Sequence, residues 1–156
     1  MHHLGIAVYP EHATKKQNYE YMQMAASNGF TRLFTCLLSV EKSQKEVIAE
    51  LSELVAQAHE FNFEVALDTD PNAFKTVGAT PTDLSIFHKM GIDIIRLDGS
   101  FGTLLDRFVI NNSYGIKIEF NASMDTELSQ LIEHGANRQQ MITCHNFYPE
   151  RYSGLG

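Results

Sequence analysis

At 156 residues the chain has the length of one ordinary domain, and its normal apolar share and four prolines exclude a disordered or low-complexity polypeptide. A formal net charge of −7, with no Lys/Arg cluster, argues against a nucleic-acid partner. It leaves room for a small anionic substrate in a locally positive pocket. The first strand begins almost at Met1, which leaves no space for a signal peptide, and no apolar run is long enough to span a membrane. Cys36 and Cys144 both fall in predicted strands and read as unbonded buried thiols of a reducing cytosol. The expectation is a soluble cytoplasmic protein with no membrane partner.

In chain order, Leu4 to Tyr9 is a short apolar run, a buried first strand, followed by a loop in which Thr14 can cap a helix. Tyr19, Met22, Ala25 and Ala26 recur at helical spacing until Asn28-Gly29 stops the helix. Thr31 to Leu38 is the second strand, with Arg32 near its base. Ser43-Gln44-Lys45-Glu46 is a capping box, and it opens a helix with Val47, Ile48, Leu51, Leu54, Val55 and Ala58 on one stripe. Phe63 to Asp68 is the third strand, ending in Asp68-Thr69-Asp70. A longer link leads to Thr80-Pro81, read as N-cap and first residue of a helix that ends at Met90-Gly91. Ile92 to Leu97 is the fourth strand, closed by Asp98-Gly99, and a helix around Leu104, Leu105 and Phe108 follows.

The fifth strand starts after Gly115 and alternates strictly. Ile116, Ile118, Phe120 and Ala122 share one parity, while Lys117, Glu119 and Asn121 share the other. Leu128, Leu131 and Ile132 mark a helix stopped at His134-Gly135, and Met141 to Cys144 is a sixth strand running into His145-Asn146.

Strand and helix therefore alternate with a period of about 25–30 residues, as βα units do, which predicts a parallel sheet with right-handed crossovers. No Gly-rich phosphate fingerprint follows the first strand, which weakens a dinucleotide-binding fold. Polar residues recur at one parity of the strands (Arg96 and Asp98; Lys117, Glu119 and Asn121; Thr143 and His145), which suits a barrel interior better than a sheet covered on both faces. The expected fold class is α/β, of the (β/α)8 TIM-barrel type. Only about six units are legible where such a barrel needs eight. Residues 1–156 are accordingly read as the N-terminal portion of a longer barrel protein. Open edges at the first and sixth strands leave a homo-oligomer as a further expectation.

Barrels of this kind carry their chemistry at the C-terminal ends of the strands. There the sequence places Glu11 and His12, Thr35, Asp68 and Asp70, Arg96 and Asp98, Glu119 and Asn121, and His145 and Asn146. Asp98 and Glu119 lie on neighbouring strands, about 4.8 Å apart, so they can approach at the roughly 5–5.5 Å of a retaining glycosidase pair if the register allows. Blander readings compete. Asp68, Asp70 and Asp98 can cap helices or make Asx-turns. Arg96 and Lys117 read first as ion-pair partners, with Lys117 orienting Glu119, and only second as a substrate clamp and a Schiff-base lysine. His12, His88 and His134 read as surface residues, and Tyr19, Glu20 and Tyr21 as helix surface and core. The scattered Asp/His set lacks tight metal-ligand spacing.

The opening LGIAVYPEHATKKQNYEYMQMAASNGFTRLFTCLLS, the segments RLDGSF and IKIEFNAS, and the terminal HNFYPERYSGLG together resemble the bacterial 6-phospho-N-acetylmuramidase family over essentially the whole chain. The resemblance implies a (β/α)8 barrel followed by a cyclophilin-like domain that this sequence does not contain. It also implies hydrolysis of 6-phosphomuramyl–N-acetylglucosamine in recovery of cell-wall sugars, and since oxocarbenium chemistry needs a proton donor and a second carboxylate, no metal or organic cofactor is expected. The implied partner is a small phosphorylated amino sugar. Glu119 and Asp98 are then the expected catalytic carboxylates, and Asn121, His145, Asn146, Arg96, Glu11 and Asp68 the expected substrate-binding residues. Two rivals stand beside it: a metal-assisted sugar isomerase or hydrolase using Asp68, Asp98, Glu119 and His145, and a non-catalytic barrel fragment acting in binding or assembly.

Overall fold

The computed structural model describes residues 4–37, 41–97, 101 and 114–120. The elements in chain order are β1 (Gly5–Ala7), α1 (Lys15–Ser27), β2 (Arg32–Cys36), α2 (Gln44–Glu60), β3 (Glu64–Thr69), α3 (Pro71–Val77), α4 (Ser85–Met90), β4 (Ile94–Leu97) and β5 (Lys117–Phe120). The five strands form one parallel sheet in the order β1-β2-β3-β4-β5. The predicted helix around Leu104, the helix at Leu128–Ile132 and the strand at Met141–Cys144 lie outside the described residues.

The helix starts follow from local chemistry. The Thr14 hydroxyl accepts from the Gln17 N–H while the Gln17 side chain accepts from the Thr14 N–H, a reciprocal cap. Ser43 caps α2 through the Glu46 N–H, but its hydroxyl also donates to the Glu46 carboxylate, so that side chain meets the cap's side chain. The expected stripe of α2 is buried at Val47, Leu51, Leu54, Val55 and Ala58.

Two expectations need correction. The stretch read as a link after Asp70 is helix α3, with the Asp70 carboxylate capping the Ala73 N–H at 2.7 Å and Pro71 in the first turn. Thr80-Pro81 does not open a helix. Thr80 instead bridges to Asp83 across a turn, the Asp83 carboxylate takes the Ser85 N–H at 3.1 Å, and α4 begins at Ser85. Its end is where expected, at Gly91 in the left-handed conformation (φ 83°).

Sequential strand order means that every right-handed crossover places its helix on the same face of the sheet. The core shows it. Ile6, Leu33, Val65, Leu67, Ile95 and Leu97 cluster with Met22, Leu51, Leu54, Val55, Phe74, Phe87 and Met90 from the helices. The opposite strand parity carries Arg32, Phe34, Glu64, Ala66, Asp68, Ile94, Arg96, Lys117 and Glu119. Side chains of β2 and β5 meet on that face, although three inter-strand spacings, about 14 Å on a flat sheet, separate them. The sheet is therefore curved, and these residues line its concave side.

Candidate active site

On the concave face the register sets Cys36 beside Asp68, Asp68 beside Arg96, and Arg96 beside Glu119. Arg96 is fully buried, and its Nη1 lies 2.9 Å from Asp68 Oδ1. Its Nε is 3.9 Å from Glu119 Oε2. The guanidinium stands over the Phe34 ring, 5.1 Å from its centroid, so a cation–π contact supports it from below. Glu119 is 8% exposed. Its Oε1 and Oε2 accept from Arg32 Nη1 at 3.0 and 3.4 Å.

Arg32 divides its fork. Nη2 donates to Glu64 Oε1 at 2.8 Å, and Lys117 Nζ donates to Glu64 Oε2 at 2.7 Å. Lys117 therefore pairs with Glu64, and the cations held against Glu119 are Arg32 and Arg96. The expectation that Lys117 orients Glu119 is corrected. The physical reason is occupancy: both Glu119 oxygens already accept from Arg32, while Glu64, which Arg32 meets through Oε1, offers its Oε2 to the Lys117 ammonium.

Burial and these charges pull in different directions on the two glutamates. Burial raises the Glu119 carboxyl above its ordinary range and outweighs the opposing attraction of Arg32 and Arg96. Burial also raises Glu64, but there the hydrogen bonds from Lys117 and Arg32 win, and the carboxyl is held below its ordinary value. One network thus contains a carboxyl that resists ionisation and one that favours it.

Of the expected site residues, Glu119, Arg96 and Asp68 come together on this face. Glu11 does not join them: it is exposed in the loop after β1, with its carboxylate 4.0 Å from Lys42 Nζ. Asp70 is a helix cap, and His12 and His88 are exposed, as expected. Tyr19 and Tyr21, expected in part as core, are 37% and 42% exposed. Asp98, Asn121, His145 and Asn146 lie outside the described residues, as do His134 and Cys144. The residue directly opposite Glu119 on β4 is Arg96. Two participants were not singled out from the sequence, Arg32 and Glu64. Both are charged residues at the parity of Phe34 and Asp68 in otherwise apolar strands, and that shared parity was the available signal.

The family described as 6-phospho-N-acetylmuramidase, N-terminal, matches residues 4–156. The chain belongs to this family. Among solved structures, an uncharacterized protein from B. cereus is 42% identical with a TM-score of 0.64, over 88% of this chain and 36% of the other. A protein of unknown function from Enterococcus faecalis is 22% identical with a TM-score of 0.66, over 89% of this chain and 38% of the other. An O-GlcNAc hydrolase variant from Thermobaculum terrenum is 10% identical with a TM-score of 0.54, over 85% and 38%. Its likeness, with its TIM-barrel-like architecture, concerns the fold alone. The chain thus spans between 36% and 38% of the length of these solved relatives. No curated protein matches it.

Family membership carries a glycosidase-type hydrolase name. The fold is α/β, with five parallel strands in sequential order among the described residues and TIM-barrel-like enzymes among its structural neighbours.

Proposed function

We propose that the protein is a glycoside hydrolase acting on 6-phospho-N-acetylmuramyl–N-acetylglucosamine in cytoplasmic recovery of cell-wall sugars, with Glu119 as the proton donor. The observation that carries this reading is a buried glutamic acid whose carboxyl is pushed upward by burial, on the concave face of a curved parallel sheet in a family of that name. Cleavage of a glycosidic bond leaves an alkoxide unless a proton reaches the bridging oxygen as the bond breaks. A carboxyl that keeps its proton above the ordinary carboxylate range supplies it. The second carboxylate of the reading is Asp98, as nucleophile or stabiliser of the oxocarbenium-like centre. Asn121, His145 and Asn146 would hold sugar hydroxyls or the N-acetyl group. In the same reading the chain is the N-terminal part of a (β/α)8 barrel.

Glu119→Gln tests the assignment in the full-length protein, because it keeps size and hydrogen bonding but removes the proton. Turnover of the natural disaccharide is expected to fall by about 10²–10⁴-fold while substrate still binds. An activated aryl glycoside, whose leaving group needs little protonation, should recover much of the lost rate of bond cleavage. Parental turnover of the disaccharide by Glu119→Gln would end the assignment.

A further inference from the structure

Arg32 is the feature of the concave face that neither the family name nor the strand-end pattern explains. It starts β2, three strands away from β5, yet one of its nitrogens lies within hydrogen-bond distance of both Glu119 oxygens. Its side chain is 9% exposed and that of Glu119 10%, so water screens the pair little. The other nitrogen is anchored on Glu64, which Lys117 holds in turn. The guanidinium is thus fixed at two points before anything happens at Glu119. A planar fork shared between two carboxylates has one geometry, which a lysine ammonium does not reproduce.

We infer that Arg32 is a positioning residue for Glu119: it holds the carboxyl in one orientation and receives the negative charge that develops there as the proton leaves. The inference rests on the proton-donor reading of Glu119. Its chemistry is a balanced proton transfer. The O–H bond of Glu119 breaks, the proton goes to the bridging glycosidic oxygen, and the electron pair left on the carboxylate is met by an N–H donor already in place. A donor of this kind acts more strongly on the carboxylate than on the acid, so its effect falls on the transition state more than on bound substrate. The described charged groups facing Glu119 are Arg32 from β2, Glu64 and Asp68 from β3, Arg96 from β4, and Lys117 on its own strand. Arg32 and Arg96 favour the ionised carboxylate, Glu64 opposes it, and burial opposes it most. Burial keeps the proton on, and Arg32 eases its release.

The test is a pH series of kcat and KM on the full-length protein, with the natural disaccharide and an activated aryl glycoside as substrates. Arg32→Met should lower kcat on the disaccharide by about 10²-fold, the scale of a misplaced reacting group, with a smaller change in KM. The aryl glycoside should be much less affected. The basic limb of the profile, where the acid loses its proton, should move to higher pH, because a cation favouring the carboxylate is gone. Arg32→Lys keeps the charge without the fork, so it should bring the limb back towards its parental position while kcat stays low. Glu64→Gln, which keeps an amide oxygen to accept from Arg32 and removes an opposing negative charge, should move the limb to lower pH. If Arg32→Met does not fold, Arg32→Lys decides, and parental kcat on the disaccharide in that variant overturns the inference. Adding Arg32→Met to Glu119→Gln should cost no further rate, since both act through one proton.

The inference is overturned if Arg32→Met and Glu64→Gln both leave the basic limb in place. It is equally overturned if Arg32→Met exacts its whole penalty again in the Glu119→Gln background, as a purely structural residue would. A slow Glu119→Gln with either result removes Arg32's role and leaves the proton donor standing. Parental turnover by Glu119→Gln removes both.

Discussion

Glu119 and Glu64 share a guanidinium and differ in what else surrounds them. Glu119 is enclosed, so burial dominates. Glu64 is partly open to water and is doubly hydrogen-bonded, so its cations dominate. The consequences for stability have opposite signs. A carboxyl raised in the folded state contributes most below its unfolded-chain value, about 4.3, and that contribution is lost as pH rises through the raised folded value. For Glu64, lowered in the folded state, the contribution is present above about 4.3 and is lost as pH falls through the lowered value. Urea midpoints measured across a pH series should therefore show a decline on the alkaline side of 4.3 that Glu119→Gln flattens. Glu64→Gln should instead flatten the loss on the acid side. An unchanged profile in Glu119→Gln would mean that its carboxyl is not shifted by folding. At this scale Glu119 was legible because strict alternation isolates it in β5. Arg32 was passed over because a charged residue at the base of a strand reads as solvated until the curvature of the sheet is known.

β1 is short, and its Gly5 has a use that lies in a neighbouring strand. A methyl group at Gly5 would stand 2.3 Å from Phe34 Cε2. The Phe34 ring occupies that space and in turn carries the Arg96 guanidinium. Gly5→Ala should therefore displace the ring and lower stability by about 1–3 kcal/mol, the usual cost of overpacking, read from the denaturant midpoint. It should also loosen Arg96 from its position beside Asp68 and Glu119. A midpoint unchanged from the parent would mean that the ring moves aside freely. The long helix α2 was legible from its Ser43 cap and most of its apolar stripe. α3 was not, because seven residues are too few for a periodic stripe, although Asp70-Pro71 is an N-cap followed by a first-turn proline. The start of α4 was misplaced because Thr80-Pro81 carries the same cap signal, and Thr80 spends it on a turn with Asp83.

Among the described residues β1 is an outer strand of the sheet and pairs with β2. Unpaired strand edges are templates for association. Expressed by itself, the 156-residue chain is expected to self-associate with rising concentration, measured by size exclusion with light scattering. A sharply melting monomer at every concentration would show that both edges are covered within the chain. The solved structures it resembles are much longer than the segment they share with it. No helix among the described residues is long and apolar enough to cross a membrane.

The alternation of apolar strands with amphipathic helices was in the sequence, and so was the parallel α/β class, because periods of two and 3.6 are local properties of the backbone. The same alternation sorted the strand residues into a helix-facing set and a polar set, which placed Arg96 and Glu119 on one face before any contact was known. Register and curvature were not there to be read. Alternation says which face a side chain takes, but not which residue on the next strand stands beside it. Only the folded sheet set Arg96 opposite Glu119 and gave Lys117 to Glu64. Only its curvature carried Arg32 across three strands to the carboxyl, because that distance depends on how all the intervening strands twist and pack against their helices.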